Sequence, residues 1–153
     1  MQFSQNDPRP VLRRLETDTV LFLTGAAGYA LIEVLYRGHT HWSMGVAGGI
    51  CFTVFGHRWE TLRTLPKIYM PIFGSALVTG VELVFGLIFN IGLTQQVWDY
   101  SRLPFNFMGQ ICVLFSCLWG LLCIPAIPVA GLMHRRLCRN LRCDGKKLLD
   151  NWQ

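Results

Sequence analysis

The sequence predicts an all-α, polytopic integral membrane protein with four transmembrane helices and both termini in the cytoplasm. Three observations lead there. Hydrophobic residues fill 52% of the 153 positions and charged residues only 15%, against roughly a quarter charged in soluble domains. The charges are gathered into a few patches between long apolar stretches. Four of those stretches, at about 18–36, 42–57, 69–91 and 107–133, reach or approach the ~20 apolar residues that a helix needs to cross the hydrocarbon core. Helices of a soluble bundle would each carry a polar face. These are apolar nearly all round.

The elements follow in order. Residues 1–17 form a short polar lead, with Pro8 and Pro10, placed at the interface. Span 1 (18–36) has Arg9, Arg13 and Arg14 ahead of it, as a signal peptide would. Its apolar stretch is longer than a signal core, however, contains Glu33, and has no small-x-small cleavage site before a soluble domain, so it reads as a retained span. Thr24 to Gly28 are small and suit close helix approach. Span 2 (42–57) is short and carries Gly45 and Gly49 at GxxxG spacing, the arrangement that lets helix backbones touch in lipid. Residues 57–68, with Trp59, Leu62 and Leu65 between basic residues, read as an interfacial segment.

Span 3 (69–91) contains a single charge, Glu82, with Ala76 and Gly80 four apart and then Gly86. Span 4 (107–133) has Ser116 and Gly120 at the same spacing. Pro125 and Pro128 are expected to kink or end its regular ladder. Residues 134–153 are a basic tail interrupted by Gly145.

Orientation follows from the basic residues. Four spans place on one side Arg9, Arg13 and Arg14, then Arg58, Arg63 and Lys67, then Arg135, Arg136, Arg139, Arg142, Lys146 and Lys147; only Arg37 and Arg102 fall on the other. That bias makes the rich side cytoplasmic. The net charge of +5 then needs no nucleic-acid partner, because a basic tail meets anionic headgroups at about 1 kcal/mol per residue. Cys51, Cys112, Cys117 and Cys123 lie within spans as small apolar residues. Cys138 and Cys143 fall in the reducing cytosol, so no disulfide framework is expected.

The two most distinctive stretches, "YRGHTHWSM" and "VWDYSRLPFN", are thereby placed together on the exoplasmic side. Glu82, near the middle of span 3, must face the bundle interior, a cavity or a partner, because an intramembrane acid is costly. It is either a proton, cation or ligand site or a carboxyl that locks helices. Glu33 and Arg37 have the i, i+4 spacing of a favourable ion pair, which either stands alone or lines an outward-facing pocket with Glu82. His39 and His41 flank Thr40, a weak metal pattern with too few ligands for a site. His134, Cys138 and Cys143 lack an established zinc spacing.

Trp42, Trp98 and Tyr100 fit an interfacial aromatic belt. Asp99 and Ser101 can bond nearby backbone amides, Pro104 fixes a turn, and Asn106 is expected to cap span 4. The loop is then a self-bonded re-entry loop, a lid over a polar pocket shared with the 37–42 turn, or both. No GxxxxGK[ST], HExxH or GxSxG motif is present, so neither an enzyme nor a cofactor is expected.

The segment "VWDYSRLPFNFMGQICVLFSCLWGLL" resembles the WDYS–PFN–G–IC–S–WG pattern of a bacterial family of small membrane proteins classed as ABC-transporter permeases, the CmpB-like, type IV group. "GYALIEVLYRGHTHWSM" is similar to the front half of its short members. The likeness rests on Trp98, Asp99, Tyr100, Ser101, Pro104, Asn106, Gly109, Ile111, Cys112, Ser116, Trp119 and Gly120. Many members carry a basic residue where this chain has Gln110. The resemblance implies a membrane domain of four or more spans in the bacterial plasma membrane. As a permease half, so small a chain would need self-association and a separate ATPase partner.

Two functions are therefore expected. One is a transport or channel subunit, with Glu33, Glu82, Asn90 and Asn106 lining an outward-facing cavity gated by the 92–106 loop and with Arg37, Trp98 and Asp99 among its site residues. The other is a non-transporting scaffold or sensor that binds lipid or a partner protein through the same loops. A lipid-acting enzyme built on His39, His41 and Asp99 is a third reading, without a recognisable nucleophile.

Overall fold

The computed structural model describes residues 9–150, with the side chains of residues 12–139. Residues 1–8 of the lead and the side chains of Arg9, Arg142, Cys143, Lys146 and Lys147 lie outside that description. Four helices form: α1 (Arg9–Arg37), α2 (Trp42–Leu62), α3 (Tyr69–Phe85), which continues as a π-helical segment (Gly86–Gly92), and α4 (Val113–Asp150). Between the π-helical segment and α4 stands a small antiparallel hairpin of β1 (Asn106–Phe107) and β2 (Ile111–Cys112). Three stretches, Leu12–Arg37, Tyr69–Gly92 and Val113–Arg139, are long and apolar enough to cross a membrane.

α2 is the exception, and its position explains why. It is the central helix, packed against α1, α3 and α4. Its buried residues include Ser43, Ala47, Gly48, Gly49 and Gly56, mostly small. A helix that meets protein on several sides needs small residues for close approach more than bulk apolarity towards lipid. The small-residue faces anticipated on spans 1 and 2 turn out to meet each other: Gly25 lies under Phe52 and the Gly48 carbonyl, and Gly49 lies under the Phe22 ring. Gly28, from the same small-residue run, faces open space instead.

α3 and α4 are stitched by hydroxyls. Ser75 Oγ donates to the Ser116 carbonyl at 2.7 Å, and Thr79 Oγ1 donates to Ser116 Oγ at 2.9 Å. Gly120 lies against Pro71 and Ser75, and Gly74 against Cys123. The core around Cys51, Phe55, Val78, Cys123 and Ile127 fills the space between α2, α3 and α4.

Three sequence expectations are corrected. The fourth helix starts at Val113, not at 107, because Asn106 pairs with Cys112 and Phe107 with Ile111 across a turn at Gly109. A short apolar run does not by itself distinguish strand from helix. Of the two outcomes expected at Pro125 and Pro128, a kink or an end, the end does not occur: α4 continues through both, as membrane helices do when surrounding groups take up the freed carbonyls. Trp59 sits on the backbone of Gly131 in α4, and Leu62 is buried. The start of the supposed interfacial segment is thus the packed last turn of α2.

At the end of the bundle away from the hairpin, polar side chains tie the helices together. His57 of α2 bonds Asp18 of α1 at 2.8 Å, and its ring lies 4.8 Å from that of His134 on α4. Glu60 pairs with Arg63 at 2.6 Å and with Arg135 at 3.4 Å.

Candidate functional site

The 93–112 loop has almost no regular structure, so its backbone groups must be satisfied individually. Asn90 carries most of this. Its Nδ2 donates to the Trp98 carbonyl and to Gln110 Oε1, both at 2.8 Å, and its Oδ1 accepts from the Val97 amide at 2.6 Å. The π-helical segment is what presents Asn90 to the loop: wide turns of this kind are rare and cluster at functional sites. Gln110, only 6% exposed, also donates to the Met108 carbonyl. The Trp98 indole donates to the Gln110 carbonyl at 2.9 Å. Trp98 is therefore a buried tether rather than a belt residue, whereas Trp42 is exposed and rests edge-on against Phe89.

The loop's second anchor is Asp99. Its Oδ1 accepts from the Ser101 amide and its Oδ2 from the Ser101 hydroxyl, both at 2.8 Å. Asn106 does not cap α4. Its Nδ2 donates to the Leu103 and Ser101 carbonyls, and its Oδ1 accepts from the Gly109 amide. Gly109 has φ +70, and a Cβ there would stand 2.9 Å from Asp99 Oδ1. Thr94, Gln96, Phe105 and Met108 also have positive φ, a conformation that non-glycine residues hold only when their surroundings impose it.

The bonds from Ser101 hold the Asp99 carboxyl below its ordinary 3.8, the backbone amide contributing most and Arg102 adding a smaller pull. A lowered carboxylate pKa stabilises the fold above the ordinary value, and that contribution disappears as pH falls through the lowered one. Protection of the Ser101 amide, its exchange rate set against the unstructured rate at the same pH, is expected to fall on acidification through that range. In Asp99→Asn that pH dependence should vanish; if it persists, another group controls the loop.

The loop packs onto the helices through Tyr100. Its ring stacks on Phe115 at 4.6 Å, and Phe115 meets Tyr36 of α1 edge-on at 6.2 Å. Burial, followed by the nearby Glu82, raises the Tyr100 phenol well above its ordinary 10.0, so it remains a donor. It points to Glu82 Oε1 at 3.4 Å, a long hydrogen bond. Glu82 is 2% exposed, and its Oε2 has no partner; the Trp119 indole N–H is likewise buried without one.

Beneath Tyr100, between α1 and α4, lies a cavity of about 410 Å³, within the usual size range of small-molecule sites. Glu33, Arg37, Tyr29, Tyr36, Tyr100 and Trp119 bring polar atoms to a wall that is otherwise apolar. Arg37 Nη2 bonds Glu33 Oε1 at 2.6 Å, as the i, i+4 spacing anticipates, and Arg37 Nη1 donates to the Val97 carbonyl at 3.0 Å. Thr40 donates to Glu33 Oε2 at 2.6 Å. This cluster joins the 37–42 turn to the 93–112 loop.

Of the residues the sequence singled out, Glu33 and Arg37 line the cavity. Glu82 stands behind Tyr100 and is not part of the cavity wall. Trp98, Asn90 and Asn106 hold the loop, and Asp99 shapes it from the exposed side. His39 turns to the Arg37 carbonyl, and His41 caps α2, its Nδ1 facing Ser43 Oγ at 2.7 Å and accepting from the Ser43 amide. Among the described residues no three His, Cys, Asp or Glu side chains are grouped to hold a metal ion. Sequence reasoning missed Gln110 and the cap at His41; the only signal was their position next to the loop motif.

Apolar helices joined by small-residue contacts, with one well-bonded loop over a cavity at one end, define a helical membrane protein. The chain belongs to the family described as "Putative ABC-transporter type IV", which matches residues 20–149. None of the curated proteins matches it. No solved structure matches it either. Family and fold together fit a transport-related membrane protein.

Proposed function

We propose that the chain is a four-span subunit of a bacterial plasma-membrane transport system, with both termini in the cytoplasm and a substrate site on the exoplasmic side. In this reading the 37–42 turn and the 95–106 loop roof the site, copies of the chain self-associate, and a separate ATPase supplies energy. The chain itself performs no catalysis. The observation that carries the reading is the cavity under Tyr100, with the Glu33–Arg37 pair in its wall and Glu82 directly behind the phenol. The basic residues gathered between and beyond the apolar stretches support the orientation.

The test is flux of protons, cations and small solutes through proteoliposomes containing the wild type or Glu82→Gln, which preserves shape and hydrogen bonding but not titration. Flux that falls to background in the variant, with unchanged thermal stability, supports a transporting carboxyl. Flux equal in both removes Glu82 from the site. A second reading, a non-transporting scaffold or sensor, draws on the enclosure of Glu82, which is 2% exposed. It predicts no flux in either protein and normal assembly of Glu82→Gln.

A further inference from the structure

The large apolar side chains that face outward from the 93–112 loop belong to its hairpin. Trp98 is buried and Tyr100 packs on Phe115, whereas Phe105 is 84% exposed and Phe107 and Met108 are each 57% exposed. All three lie in or next to the β1–β2 hairpin. The polar residue among them turns the other way: Asn106 bonds the Leu103 and Ser101 carbonyls and the Gly109 amide. Phe105 and Met108 also hold φ +54 and +53, a left-handed backbone that bulky residues seldom adopt. The hairpin thus keeps a costly backbone while presenting its apolar groups outward. We propose that this tip is seated in the lipid interface beside the first turn of α4, so that the bilayer anchors the loop from outside as Asn90 does from within.

The occupant follows from what the tip adjoins. The Val113 amide, at the start of α4, donates to the Phe105 carbonyl at 3.4 Å, and Val113 and Leu114 are themselves exposed apolar residues. The tip therefore continues the outer surface of a helix that is long and apolar enough to cross a membrane. Its depth agrees. Residues 113–133 carry no charge, and at ~1.5 Å per residue they extend about 32 Å, close to the ~30 Å of the hydrocarbon core. With Arg135 and Arg136 among the headgroups at one end, Val113 stands at the opposite boundary and the hairpin in the interfacial layer. That layer takes up Phe side chains from segments lying on the membrane. Arg102, exposed in the same loop, suits the headgroup phosphates beside it. A tip held in water would leave three large apolar groups unburied next to a phase that can bury them. The Tyr100 amide donates to the Gly109 carbonyl at 2.8 Å, so the segment that meets lipid is bonded directly to the residue that roofs the cavity.

The inference does not rest on the transport reading, because lipid contact is measured without flux; either can fail alone. The photoreactive variants Phe105→p-benzoylphenylalanine and Phe107→p-benzoylphenylalanine are reconstituted into vesicles of phosphatidylethanolamine and phosphatidylglycerol, with Leu114→p-benzoylphenylalanine as the lipid-facing reference. Both hairpin side chains are exposed, so the larger aromatic is expected to leave thermal melting unchanged. Should the left-handed backbone at Phe105 reject it, Phe107 decides. After irradiation, the hairpin variants are expected to gain the mass of one phospholipid in a yield comparable to that of the Leu114 variant. Lipid adducts from position 114 with none from the hairpin overturn the proposal. Cross-linked dimers from the hairpin in place of lipid adducts overturn it as well, and give the tip to a second copy of the chain.

Discussion

Gly48→Leu is expected to prevent the α1–α2 pair from closing. A Cβ at position 48 would meet the Gly25 carbonyl at 2.8 Å and fall within the Tyr29 side chain. The first obstacle is backbone and cannot rotate away. Overpacking commonly costs about 1–3 kcal/mol, and a clash with backbone at the centre of the bundle belongs at or above the top of that range. In detergent the variant should aggregate or melt far below wild type on a fluorescence-monitored thermal ramp. Gly28→Leu, on α1 at a position that faces open space, should melt close to wild type. Equal melting of Gly48→Leu and wild type would mean that the helices do not meet through Gly25 and Gly48.

Asn90→Ala is expected to release the 93–112 loop. It removes three hydrogen bonds at once and leaves the Val97 amide, the Trp98 carbonyl and Gln110 Oε1 without that partner. All three bonds are part-buried, and groups left unsatisfied cost about 1–3 kcal/mol each only when fully buried, so the local loss should be about 2 kcal/mol. Asn106→Ala breaks bonds that are partly solvent-accessible and should cost about 1 kcal/mol. Hydrogen exchange across residues 93–112 separates the two. Protection should collapse with Asn90→Ala and fall modestly with Asn106→Ala, while the α2 core stays protected in both. The reverse order would move the loop's principal anchor to Asn106.

Much of this arrangement is legible in the residues, and the remainder fails for identifiable reasons. Helix-forming stretches declare themselves by length and apolarity, and the Glu33–Arg37 pair by its four-residue spacing, because both signals are local. The small-residue contacts at Gly25, Gly49, Ser116 and Gly120 could be anticipated as faces but not as partners. The asymmetry between Gly25, which is packed, and Gly28, which is not, exists only once α1 has met α2. The roles of Asn90 and Gln110 depend on the π-helical segment, whose wide turn has no periodic signature in seven residues. The β1–β2 hairpin was hidden inside an apolar run that reads equally well as helix. Trp98 looked like an interfacial anchor because composition cannot show that an indole points inward to a carbonyl.

The central position of α2 bears on how the protein is made. As nascent chain, α2 lacks the apolarity of the three stretches that can cross a membrane, and partitioning of a lone segment into lipid follows its own hydropathy. Its glycines and serine become an advantage only after α1 lies alongside. α2 is therefore expected to enter lipid only as the second arm of a hairpin with α1, a dependence read by comparing membrane insertion of α2 alone with that of α1 and α2 together.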